Sequence, residues 1–156
     1  LGISLVDYGT VNPFSLGAVV PGWGNAGAGW AEYYHSGRAT GVQLTDEEYY
    51  AHLCELAGDR PIAALIIDPS AASFAETVLR HGRYPVLKAD NDVVAGIHRV
   101  SRALQQAQIK IAPGCKDALR EFSLYQWDNS LRRDAPKKKT TMQWTTFATL
   151  FYRIER

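Results

Sequence analysis

Two apolar runs that each end on an aspartate constrain the fold of this chain most strongly. The first spans residues 3–7 and ends on Asp7, and the second spans residues 63–68 and ends on Asp68. The second run reads Ala-Ala-Leu-Ile-Ile before its acid, with no polar residue at alternate positions. A continuous apolar strand is typical of a parallel sheet that is covered on both faces. This run therefore predicts a central strand with helices packed on either side of it.

Shorter signals indicate the order of the other elements. Residues 14–20 form an apolar run after an Asn-Pro turn signal, residues 22–29 are rich in glycine and predict a flexible hairpin tip, and residues 30–35 predict a third strand. Thr45 and Glu48 form a capping box that opens the first helix. Beyond Asp68 we expect alternating elements: helices at 70–81, 93–104 and 116–125, and strands at 85–88 and 109–112.

This order of three strands, helix, strand, helix, strand and helix predicts an RNase H-like α/β fold. Its mixed β-sheet would have three antiparallel strands first and parallel strands afterwards, with helices on both faces. The 156 residues fit one domain with a proper core. Because the chain opens directly on a strand, we expect it to be one domain of a longer polypeptide.

Composition limits the possible partners. The formal net charge is +1, so binding to a polyanion would have to depend on local basic patches. Cys54 and Cys115 stand far apart and outside any Cys/His cluster, which is typical of reduced thiols. No apolar run approaches the roughly 20 residues that a membrane-spanning helix needs, so we expect no membrane partner.

The two strand-ending acids form the candidate site. In open α/β sheets, sites gather beyond the carboxyl ends of the strands. If the strands of Asp7 and Asp68 are neighbours, the two carboxylates converge and can bind hard cations such as Mg²⁺. Two such ions about 4 Å apart can hold both the attacking and the leaving oxygen of a phosphodiester. Either aspartate alone could be a strand-end cap or a turn former, but the pair favours a metal site.

Several blocks along the chain resemble the nuclease domain of tailed-phage large terminase subunits. Residues 7–14 resemble the first strand of that domain, residues 45–49 its first helix, and residues 66–71 its second acidic strand. Residues 88–93 with Gly96-Ile97, and Cys115 with residues 121–128, are similar to later blocks. The resemblance extends from the first residues to about Lys139.

This resemblance implies a function for the chain. It implies an endonuclease that cuts concatemeric double-stranded phage DNA with little sequence specificity, in the cytoplasm of a bacterial host. Three acids would bind two Mg²⁺ or Mn²⁺ ions, and Asp7 and Asp68 match the first two of them. The partners implied for the full-length protein are an ATPase domain, a small terminase subunit and a portal protein.

The third acid of the family pattern is replaced. The family pattern is Asp-His-Ala-Met-Asp, but residues 140–149 read Thr-Thr-Met-Gln-Trp-Thr-Thr-Phe-Ala-Thr, and Thr145 stands at the position of the third metal-binding acid. A neutral hydroxyl is a much poorer ligand for a hard cation than a carboxylate. We therefore expect weakened metal binding and low or absent nuclease activity.

A shifted reading frame accounts for this segment. The family-like peptide Asp-Asp-His-Ala-Met-Asp-Asp-Phe-Arg-Tyr can be written GAC GAC CAT GCA ATG GAC GAC TTT CGC TAC. Without its first base the DNA reads ACG ACC ATG CAA TGG ACG ACT TTC GCT AC, which encodes residues 140–149 of this chain. We hypothesise a frameshift near Lys139, natural as in a decayed prophage or introduced by cloning or sequencing. Residues 1–139 would then be the nuclease domain and residues 140–156 its altered C-terminal segment.

Basic residues near the altered segment are the DNA-binding candidates. The strongest cluster would contact phosphates without reading sequence, although a solvated loop is an equal alternative. Lys88 is expected near the cleft, where it would touch a scissile phosphate or remain a surface lysine. The cluster consists of Arg132, Arg133, Lys137, Lys138 and Lys139.

Two other classes of function stay open. Asp7 to Thr10 reads Asp-x-Gly-Thr, which also resembles the phosphate loop of actin-type and sugar-kinase-type phosphotransferases. Those proteins need two lobes, whereas this chain supplies one and has no Walker lysine motif. The other class is a catalytically inactive, terminase-derived module that binds DNA or packaging proteins without cutting.

Overall fold

The computed structural model describes residues 2–7, 13–21, 27–89 and 92–124. Within that part of the chain the strands are β1 (Gly2–Asp7), β2 (Phe14–Pro21), β3 (Gly27–His35), β4 (Ile62–Ile67), β5 (Val86–Lys88) and β6 (Ile109–Ile111). The helices are α1 (Gly37–Thr40), α2 (Asp46–Ala57), α3 (Ala72–His81), α4 (Val93–Gln105) and α5 (Lys116–Leu124), and a 3₁₀ turn covers Pro69–Ala71.

The strands form one mixed sheet in the order β5-β4-β1-β2-β3-β6. β1, β2 and β3 pair antiparallel in sequence order. β4 adds parallel to β1, β5 adds parallel to β4, and β6 adds parallel to the far side of β3. The predicted fold class, a mixed sheet whose first three strands are antiparallel and whose later strands are parallel, is confirmed.

The start of β3 differs from the prediction. The sequence predicts a flexible hairpin tip over residues 22–29, but the strand already begins at Gly27. Gly27, Ala28 and Gly29 pair with the three residues of β6, which lie about 80 positions further along the chain. The distant strand gives these residues their extended conformation, and local composition does not reveal it.

Helix α2 forms where the capping box predicts it. The Thr45 side chain accepts a hydrogen bond from the backbone N–H of Glu48, and the Glu48 carboxylate accepts one from the backbone N–H of Thr45 at 2.7 Å. These reciprocal bonds satisfy N–H groups that no helical carbonyl can reach. The helix ends before Gly58, whose φ of 55° favours glycine.

Helices α2 and α3 cover one face of the sheet. The Phe14 ring stacks on the Tyr49 ring with centroids 3.8 Å apart, and it meets the Phe74 ring edge-on at 5.3 Å. Leu65 and Ile67 of β4 pack into the same cluster. Burying each such side chain contributes roughly 1.5–3 kcal/mol, so this layer forms the main core.

Helices α4 and α5 cover the opposite face. The connection from β4 to β5 and the connection from β5 to β6 run in opposite directions across the sheet. Because such crossovers are right-handed, α3 and α4 lie on opposite faces. The Glu32 carboxylate of β3 accepts hydrogen bonds from the backbone N–H groups of Asp117 and Ala118 at 2.7 and 2.9 Å, which fixes the start of α5 on that face.

No helix in the described ranges has the length and apolar character needed to cross a bilayer.

Candidate active site at the sheet edge

The register of β1 and β4 brings the two aspartates to one edge of the sheet. The strands are parallel neighbours, and Val6 pairs with Ile67. Asp7 and Asp68 are the next residues on their strands, so both stand at the carboxyl ends of adjacent strands. Neighbouring strands lie about 4.8 Å apart, which is a spacing that lets two acids share a cation.

The Asp68 side chain has a local structural role. Its Oδ1 accepts a hydrogen bond from the backbone N–H of Ser70 at 2.8 Å, so it caps the 3₁₀ turn that leads to α3. Pro69 occupies the first position of that turn, where a missing N–H costs nothing. The bond fixes the half-buried carboxylate in place. Among the described residues, no hydrogen bond to its Oδ2 is present.

Lys88 ends the next strand at the same edge. It pairs with Ile67 across β4 and β5, and the backbone N–H of Ala89 donates to the Ile67 carbonyl at 2.9 Å. Its side chain is exposed. Asp7, Asp68 and Lys88 therefore stand at the ends of three consecutive strands. This order places a cation beside two acids at an edge that faces solvent.

The entrance to α4 adds a further carboxylate near this edge. Asp92 follows β5 by four residues, and its Oδ1 accepts from the backbone N–H of Ala95 at 3.1 Å. This bond makes Asp92 the N-cap of α4 and leaves the side chain exposed. The residue types alone instead favour capping by Asp90 and Asn91, which lie outside the described residues. Asp92 serves because it directly precedes the first helical residue.

Two residues that carry no sequence signal of a site lie in register with Asp7. Ser15 of β2 pairs with Asp7 on one side and with Tyr34 of β3 on the other. Ser15 is a buried polar residue. Burial, and then the charge of Glu121 and the hydrogen bond to it, raise the pKa of Tyr34 to about 12, so the phenol stays protonated. Only the strand register, which local patterns do not encode, reveals this row.

Helix α5 is tied to the same row. The Arg120 guanidinium lies over the Tyr34 ring at 5.3 Å, and its Nη1 bonds Asp117 Oδ1 at 2.8 Å. Together with the Glu32 cap, these contacts hold α5 against β3. The chain then continues from the end of α5 toward the segment that contains Thr145.

The remaining predicted site residues lie outside the described ranges. They are Thr145 and the basic cluster of Arg132, Arg133, Lys137, Lys138 and Lys139. Among the side chains that the structure describes, no group of three or more His, Cys, Asp and Glu residues could hold a metal ion. That set does not include the Asp7 side chain. On donor chemistry, a fixed carboxylate at Asp68 beside the backbone position of Asp7 fits a hard divalent cation.

The sheet order and the two helical layers define an RNase H-like α/β fold. No family model and no curated protein matches the chain. Solved structures do, and those that share the fold are nucleases and terminases. One is the yeast mitochondrial Holliday junction resolvase, at 10% identity and a TM-score of 0.51, with 98% of this chain and 80% of that chain covered.

The chain is similar over nearly its whole length to a phage large terminase. A large terminase from a thermophilic bacteriophage, here called the thermophilic-phage terminase, matches 99% of this chain at 34% identity with a TM-score of 0.91. The large terminase nuclease of a second thermophilic phage, G20c, matches 98% of this chain and 82% of its own at 12% identity, with a TM-score of 0.69. The resemblance to the terminase nuclease domain is therefore confirmed. The chain spans about 39% of the length of the thermophilic-phage terminase.

Proposed function

We propose that this chain is the metal-dependent endonuclease domain of a phage DNA-packaging terminase, and that Asp7 and Asp68 bind its divalent ions. The observation that supports the proposal is the register that ends two neighbouring parallel strands on these acids. Similarity to the thermophilic-phage terminase at 34% identity gives independent support. The substrate would be double-stranded DNA, cut with little sequence specificity.

The residues at the edge have separate tasks in this proposal. Mg²⁺ or Mn²⁺, two ions in the family, would supply the charge that activates water and stabilises the leaving oxygen. Asp68 offers Oδ2 to the cation while its Oδ1 stays bonded to Ser70, so the ligand is already oriented. Lys88 would hold a phosphate of the substrate close to the acids. The cluster at residues 132–139 would bind the DNA backbone further away.

A second candidate function comes from the position of the third acid. Thr145 offers a neutral hydroxyl where the family has a carboxylate. With two carboxylates instead of three, we expect weaker metal binding and little cleavage. In the limit of no cleavage, the chain is an inactive module that binds DNA or packaging proteins. The phosphotransferase alternative gains no support, because the structures that share the fold are nucleases and terminases.

The full-length protein extends the proposal beyond this domain. Because the chain spans well under half of the thermophilic-phage terminase, its further partners belong to parts outside the sequence. An ATPase domain, a small terminase subunit and a portal protein would complete the packaging machine. The site of action would be the cytoplasm of a bacterial host.

Cleavage of plasmid DNA with Mn²⁺ tests the proposal. We expect weak cleavage by the parent chain, none by Asp7→Asn or Asp68→Asn, and clearly stronger cleavage after Thr145→Asp restores a third carboxylate. Asp59→Asn is the matched control, because Asp59 is exposed and lies at the opposite end of β4 from Asp68. Cleavage that persists in both Asp7→Asn and Asp68→Asn would refute the proposed site.

Titration of Mn²⁺ by calorimetry separates the two candidates. An impaired nuclease binds Mn²⁺ weakly, and Thr145→Asp strengthens that binding. An inactive module shows no heat of binding in the parent chain, while it still binds DNA.

A further inference from the structure

The two helical layers carry opposite charge, although the whole chain has a net charge of only +1. Helices α2 and α3 contain five acidic residues and a single arginine. Residues 93–116, which span α4 and β6 up to the start of α5, contain no aspartate or glutamate. Their basic residues are Arg99, Arg102, Lys110 and Lys116. A polyanion would therefore meet repulsion on the α2/α3 side and attraction on the α4 side.

The charge on α4 is presented to solvent. His98, Arg99 and Arg102 are exposed, whereas Val100 and Ala103 are buried against the rest of the domain. The three exposed residues form one side of the helix, here named the α4 basic face. Residues three or four positions apart on a helix are surface neighbours, so Arg99 and Arg102 lie one turn apart. Lys110 and Lys116 are exposed too and continue the positive charge beyond the helix.

The α4 basic face is connected to the candidate active site through its own helix. β5 ends at Lys88 on the edge that holds Asp7 and Asp68, and α4 begins five residues later. At a rise of 1.5 Å per residue, Arg99 and Arg102 lie roughly 9 and 14 Å along the axis from the first residue of α4. A duplex whose cleaved phosphate sits at the edge has backbone phosphates within that distance.

We propose that the α4 basic face binds the phosphate backbone of duplex DNA and seats the duplex on the α4 side of the sheet. The proposal rests on the proposed function for the identity of the polyanion. The charge complementarity comes from the residues above and does not involve the metal. Backbone contacts of this type bind without reading sequence, which agrees with a nuclease of low specificity.

Duplex binding measured without metal tests this surface. The probe is a fluorescein-labelled 30-base-pair duplex, followed by anisotropy in EDTA from 50 to 200 mM KCl. The test variant is Arg99→Gln with Arg102→Gln. The matched control is Arg60→Gln with Arg83→Gln, which removes the same charge from the other side of the domain, where Arg83 lies over the Tyr84 ring. All four arginines are exposed, so thermal melts should show that both variants fold.

We expect the α4 variant to bind about tenfold more weakly than the parent at 200 mM salt. Its salt dependence, the slope of log K against log salt, should fall in magnitude by roughly two, as two lost phosphate contacts require. The control should match the parent. Parental affinity and slope in the α4 variant, equal weakening in both variants, or no duplex binding by the parent at 50 mM salt would each overturn the proposal.

This experiment is independent of the metal site. Because EDTA removes the ions, a failed cleavage assay leaves the binding result readable. Conversely, an α4 variant that binds like the parent refutes the surface and leaves the assignment of Asp7 and Asp68 untouched.

Discussion

Substitutions at Asp68 separate a capping role from a metal-binding role. Oδ1 of this residue caps the 3₁₀ turn through the N–H of Ser70, and we propose that Oδ2 faces a cation. Asparagine caps about as well as aspartate, whereas alanine at such a position costs about 1 kcal/mol. Asp68→Asn therefore keeps the cap and removes the charge, and Asp68→Ala removes both.

These roles give distinct shifts in melting temperature. For a domain of this size, about 1 kcal/mol corresponds to a change in Tm of roughly 2–4 °C. In EDTA we expect Asp68→Ala to melt about 2–4 °C below the parent. Asp68→Asn should melt close to the parent, because it also relieves repulsion between two neighbouring carboxylates. The Asp59→Asn control should match the parent.

Adding Mn²⁺ reveals the second role. A ligand at one hundred times its dissociation constant stabilises the folded state by about 2.7 kcal/mol. The parent and Asp59→Asn should then melt roughly 5–10 °C higher, while neither Asp68 variant responds. The assay is circular dichroism at 222 nm with and without Mn²⁺. An equal Mn²⁺ response in Asp68→Asn would refute the metal role, and an Asp68→Asn melt as low as that of Asp68→Ala would refute the capping argument.

Three further predictions concern the core, the first long helix and the gene. Phe74 is fully buried against Phe14, so Phe74→Ala should lower the urea-derived stability by about 3–5 kcal/mol; a loss below about 1 kcal/mol would contradict this packing. Thr45→Ala removes the capping box with Glu48 and should cost about 1 kcal/mol, whereas Thr45→Ser should cost little. Sequencing of the gene should show one base missing near the Lys139 codon relative to large terminase genes, and an intact frame would disprove the frameshift.

The sequence predicts best where local chemistry determines the structure. The capping box of Thr45 and Glu48 encodes the start of α2 within four residues, and the structure shows both bonds. The apolar run before Asp68 similarly predicts β4, because only a strand covered on both faces tolerates so few polar residues. These two elements already limit the domain to a small set of α/β folds.

Long-range pairing sets the limit of such prediction. β3 begins inside a glycine-rich stretch because β6, far along the chain, pairs with it. Ser15 and Tyr34 carry no local signal of a site, and only the register shows that they share a row with Asp7. The chemistry of Asp68 could be predicted from its position, but its bond to Ser70 required the turn that follows β4.

The path of α4 has a consequence for the cooperativity of the domain. This helix joins the two outermost strands, since β5 and β6 lie at opposite borders of the sheet. β6 is held to β3 by three residue pairs, and every loop that closes this pairing spans more than 80 residues. Amide hydrogens of β6 should therefore exchange with solvent by opening events that leave β1 and β4 intact. The border that forms last is also the one that opens first, and α4 is the hinge between it and the catalytic edge.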